Sequence, residues 1–134
     1  MKVLLVCIAA LAVLLASCEK TELKVEDKVL YGRYDVIYKD IIDADGTETH
    51  CVPIGRDGDI ADAWMAPTIL IFTEDSLGIS QLMNEGWSTG YVKLERINDI
   101  PSRVGCHPVT KANDYEITWR QGDQTIRYVL LKMR

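Results

Sequence analysis

DYEITWRQGDQTIRYVLLKM, residues 114–133, alternates bulky apolar and polar side chains on either side of Gly122-Asp123. A period of two marks a half-buried strand, and a Gly-Asp link joins two such strands as a hairpin. With Gly122 and Asp123 as the loop, Trp119 faces Ile126, Ile117 faces Tyr128 and Tyr115 faces Leu130, all six on one face. The other face carries Glu116, Thr118 and Arg120 with Arg127, Val129 and Leu131. A slip of one residue would scatter the aromatic set, so the pattern itself specifies the register.

Working outward, the same alternation recurs. Residues 29–39 place Tyr34, Val36 and Tyr38 on one face and Tyr31 and Ile37 on the other. Asp43-Ala44-Asp45-Gly46 then turns the chain into a second strand over residues 47–54. Ile69-Leu70-Ile71-Phe72 is short and rich in β-branched residues, as in a buried strand. Residues 77–83 and 89–97 form a further hairpin across Asn84-Glu85-Gly86. One helical turn or two is expected at residues 59–65, with Asp59 as cap and Pro67 as stop.

Seven or eight such strands predict a single all-β domain over residues 28–134, either a small antiparallel barrel or a two-sheet sandwich. Gly32-Arg33-Tyr34 resembles the Gly-x-Trp opening of lipocalin-like domains, with Tyr34 in place of the Trp, and the resemblance implies a barrel. The order Cys51, Trp64 or Trp87, Cys106 keeps an immunoglobulin-like sandwich open.

The opening segment is of another kind. After Met1-Lys2, residues 3–16 carry no charge and match the apolar region of a secretory signal. As a helix this run measures about 21 Å, short of the roughly 30 Å needed to span a bilayer. Leu15-Ala16-Ser17-Cys18 follows it and resembles the lipobox of bacterial lipoproteins. That resemblance implies removal of a signal helix at residues 1–17, a diacylglyceryl group on the Cys18 thiol and acylation, for example with palmitate, of the new amine. Glu19 stands where an Asp would retain an enteric lipoprotein at the inner membrane, which implies the outer membrane; its periplasmic and surface faces both stay open. Residues 18–27, dense in charge, read as a lipidated tether.

The chain of 134 residues has a formal charge of −5, and losing Lys2 with the signal makes it more negative. With no basic stripe to offset it, this balance excludes a nucleic-acid partner and non-specific attraction to anionic lipid. Cys51 and Cys106 are the cysteines left to the exported domain, and a disulfide between them is expected outside the cytoplasm. Closing a loop of about 55 residues would contribute roughly 4 kcal/mol in the chain-entropy model. Because the two histidines adjoin them, as His50-Cys51 and Cys106-His107, a zinc site of these four residues is the sharper alternative. Adjacent strand residues point to opposite faces, which argues against it, and no metal or other cofactor is expected.

No Gly-x-Ser-x-Gly elbow, phosphate-cradling glycine loop or His-Glu-x-x-His pair occurs, so catalysis lacks a named agent. Tyr34, Trp64 and Trp87 are the candidates for lining a pocket mouth. The expected role is a lipid-anchored envelope protein whose β domain binds a small apolar or glycan-like ligand. The alternatives are an accessory subunit with an envelope protein partner and, third, a hydrolase.

Overall fold

A computed structural model describes residues 29–55 and 61–134. The signal, Cys18 and the tether lie outside these residues, as do Asp59 and Ile60. No helix is present among the described residues.

Ten strands follow one another: β1 (Gly32–Ile42), β2 (Glu48–Pro53), β3 (Ala63–Met65), β4 (Thr68–Phe72), β5 (Ser76–Met83), β6 (Gly86–Ile97), β7 (Ile100–Val104), β8 (His107–Asn113), β9 (Glu116–Gln121) and β10 (Gln124–Lys132). Each of β4 to β9 pairs antiparallel with the next, and β4 and β10 both pair with β1. This circuit is an eight-stranded closed antiparallel barrel. Closure removes the sandwich alternative, because both of its end strands share β1. β2 and β3 are additions to the wall: β2 takes the half of β1 that β4 leaves uncovered, and β3 pairs parallel with β2.

The hairpin read from residues 114–133 has the expected register, with Trp119 opposite Ile126 and Ile117 opposite Tyr128. These four side chains and Leu130 are all buried. Tyr115 departs from the expectation. Its carbonyl accepts from Leu130 N at 2.9 Å, as the register requires, but its side chain is 62% exposed because Asp114 and Tyr115 form the β8–β9 turn.

The interior is filled from the strands' inward positions. Leu30, Tyr34, Val36, Leu70, Phe72, Leu77, Leu94, Val104 and Ile117 join the hairpin residues in one cluster. At the end where β1 begins, Arg96 caps this core. Its guanidinium donates to the carbonyls of Val29, Leu30, Thr73 and Asp99 at 2.7–2.9 Å and lies 3.8 Å over the Tyr31 ring.

Three departures have local causes. The β1–β10 register shifts between Val36 and Tyr38. The extra residue sends Tyr38 to the outer face instead of joining Tyr34 and Val36, which is the usual effect of a bulge. Residues 63–65 are strand rather than helical turn: three residues cannot nucleate a helix alone, whereas β2 offers a ready hydrogen-bonding edge. Strands β7 and β8 go beyond the alternation in the sequence, because Pro101 and Pro108 weaken the strand reading there. Pro101 sits at the β6–β7 register shift, where a missing N–H is tolerated, and Asn98-Asp99 takes the two positive φ values of a primed hairpin turn.

Candidate functional site at the β2–β3 rim

β3 pairs Ala63, Trp64 and Met65 with Cys51, Val52 and Pro53. Met65 packs against the core, so strand alternation turns Trp64 to the opposite face. There Trp64 is 57% exposed, and Ile54 at the end of β2 is 63% exposed. Ile54 N donates to Met65 O at 2.9 Å, and Asp62 and His50 exchange two further bonds at 2.8 Å, which fix β3 against β2. Ile54, Gly55 and Trp64 line an open concavity of ≈ 420 Å³. That volume is in the range of small-molecule sites, and a Trp beside an aliphatic side chain offers flat apolar contact with one N–H donor.

The other two aromatic candidates are elsewhere. Tyr34 is core, 3% exposed and edge-on to Phe72 with ring centroids 5.5 Å apart. Burial pushes its phenol pKa up, against a smaller opposing effect of its hydrogen bond to Tyr31. Trp87 lies on β6 and is half exposed. The three aromatics therefore do not share a pocket.

The expected disulfide is not formed, and both thiols are free. Cys51 is opposite Lys39 on the β1 side of the wall, whereas Cys106 is exposed in the β7–β8 turn. In the circuit of eight strands, β1 and β7 are four places apart and so face each other across the barrel. The same separation keeps the zinc alternative from assembling. Cys106 Sγ is 3.8 Å from His107 Nδ1, but His50 turns to the outer face and Cys51 does not. Among the described residues no group of three or more His, Cys, Asp or Glu could hold a metal ion. Burial raises the Cys51 thiol above its ordinary range, the opposite of what a reactive thiolate needs.

One polar cluster was missed from the sequence. Beyond the β1 bulge, Asp40 points outward between His50 of β2 and Arg127 of β10. It is 2% exposed, with Oδ1 2.6 Å from His50 Nδ1 and Oδ2 2.6 Å from Arg127 Nη2. The hydrogen bonds that Arg127 donates to Asp40 hold its guanidinium above its ordinary pKa. The Tyr38 ring lies tilted at 56° against the His50 ring with centroids 4.6 Å apart, and Glu48 approaches Arg127 at 3.7 Å. An Asp that orients a His is part of many acid–base sites. Here Arg127 engages the same carboxylate, so Asp40 ties β1, β2 and β10 together as a three-strand clamp. No residue type announces it, because the β1 bulge at Ile37 reverses the inward and outward positions that follow.

No family model and no curated protein matches the chain. Among solved structures it is similar to a lipocalin-like protein from Bacteroides uniformis. The two are 11% identical with a TM-score of 0.45, over 75% of this chain and 96% of that one.

Proposed function

We propose that this is a lipid-anchored envelope protein that binds a small apolar or glycan-like ligand at the β2–β3 rim without changing it chemically. The observation that carries the reading is the open concavity in which Trp64 and Ile54 expose apolar surface side by side. The barrel interior is occupied by its own side chains, which favours the rim over the lumen as the place for a ligand. The anchor rests on Leu15-Ala16-Ser17-Cys18 after an uncharged run, and two or more acyl chains would hold the protein stably to a membrane, taken as the outer membrane from Glu19.

Native mass spectrometry of protein gently extracted from its envelope tests the ligand. Added mass beyond the acyl chains is expected, lost in Trp64→Ala and kept in Trp87→Phe; no added mass, or mass indifferent to Trp64, overturns the reading. Metabolic labelling with a fatty acid tests the anchor separately, since Cys18→Ala should abolish the label. The accessory-subunit alternative draws support from one observation, the uncovered edge of β6 beyond its pairing with β7.

A further inference from the structure

β6 is longer than its neighbour on one side. β5 pairs with it from Gly86 to Lys93, whereas β7 covers only Leu94 to Ile97. Residues 86–92, Gly-Trp-Ser-Thr-Gly-Tyr-Val, therefore have no strand on their second edge among the described residues. Leu94 donates its N–H toward β5 (Asp75 O, 2.9 Å), while Lys93 O accepts from Gly105 on the other side at 2.7 Å. Alternation then aims the N–H and C=O groups of Trp87, Thr89 and Tyr91 at the open edge. Exposed edges are normally blunted by charge or proline, yet these seven residues contain neither. Trp87 and Tyr91 are 50% and 60% exposed. The Tyr91 ring is laid across β5 at Gly78, where even a Cβ would come within 2.6 Å of it.

We propose that this edge pairs antiparallel with the same edge of a second copy, about a two-fold axis at Thr89. The sequence is self-complementary in that register. Thr89 meets Thr89, so Trp87 of each copy faces Tyr91 of the other, twice over; past the ladder, Glu85 in the β5–β6 turn of each copy comes alongside Lys93 of the other, whose backbone edge Gly105 already takes, so these two charges meet through their side chains alone. Cross-strand aromatic and opposite-charge pairs are the contacts that stabilise a sheet. Neighbouring registers lose them. Moved by one pair in one direction, the partner's chain runs into β7, which already pairs with Glu95; moved in the other, Glu85 meets Tyr91 and Trp87 meets Thr89. A contact of this kind is isologous and closes on itself, which gives a dimer and not a fibre. It goes beyond the proposed ligand site and leaves Trp64 free.

The test uses the full chain in its native membrane and then in detergent micelles. Thr89→Cys in a Cys106→Ser background should cross-link to the size of two chains on mild oxidation, because opposed cysteines in a paired ladder lie within disulfide reach. By sedimentation, Glu85→Lys and Lys93→Glu should each weaken self-association by roughly tenfold or more. Mixing the two variants should restore it, since each mixed pair again sets Lys against Glu. The proposal is overturned if Thr89→Cys gives no two-chain product, if it is captured by a different envelope protein, or if the mixture associates no better than either variant alone. Circular dichroism of each variant separates lost pairing from lost folding, and the Thr89→Cys result decides if a charge variant does not fold. Ligand mass retained in a variant that no longer associates would leave the rim site standing alone.

Discussion

Cys51 and Cys106 differ in what surrounds them, and that difference can be measured. Cys51 is 8% exposed and burial raises its thiol pKa, whereas Cys106 is exposed in a turn. A thiol reagent should therefore give one fast reaction, removed by Cys106→Ser, and a slow one limited by opening of the wall around Cys51. A bond found between the two cysteines under non-reducing conditions would contradict the separation across the barrel. Tyr34 gives a second expectation. Burial raises its folded pKa above the ordinary 10.0, so the folded protein holds the phenol proton more tightly than the unfolded chain. This contribution to stability is complete below about pH 10 and is lost as pH rises from there through the folded value. The urea midpoint should fall in that alkaline range, and Tyr34→Phe should flatten the fall; an equal slope in the variant would rule Tyr34 out as its source. At this scale the sequence was legible only in part. Residue types nominated Tyr34, Trp64 and Trp87, but whether an aromatic is core or surface depends on which side of the sheet it lands, and Tyr34 landed inside.

The β9–β10 hairpin shows what makes an element readable. Trp119, Ile117, Ile126, Tyr128 and Leu130 alternate without interruption and the Gly122-Asp123 loop leaves one register that buries them all. Trp119→Ala should therefore cost about 3–5 kcal/mol, against roughly half a kcal/mol for Arg120→Ala on the exposed face. Equal shifts in urea midpoint would mean that the register is wrong. Interruption is what hid the rest. The bulge after Val36 reversed Tyr38 and aimed Asp40 outward to His50 and Arg127, and no residue type announces a bulge. Pro101 and Pro108 masked β7 and β8, and β3 pairs with β2 in parallel, a geometry that no short hairpin turn specifies. Local pattern specifies a strand pair when its turn is short and its alternation unbroken; it does not specify pairings that depend on the closed barrel.

For the whole molecule, the barrel has one tied end. Arg96 binds carbonyls from the chain before β1, from the β4–β5 turn and from the β6–β7 turn, although burial disfavours its charge. Arg96→Met keeps the apolar stem and removes every one of these donors. Leaving partly buried carbonyls unpaired should cost about 3 kcal/mol or more, read as a lower urea midpoint, while a change under about 1 kcal/mol would show that water replaces the guanidinium at no loss. The other tie is the seam between β1 and β10, in which Asp40 meets Arg127 across 87 residues. Contacts so distant along the chain are slow to form, since the loop between them must close before they contribute anything. The first strand of the barrel also waits for the last. A chain delivered N-terminus first through a narrow pore would emerge without a closed barrel until β10 followed, so the seam that completes the fold also postpones it for as long as the chain is still being threaded.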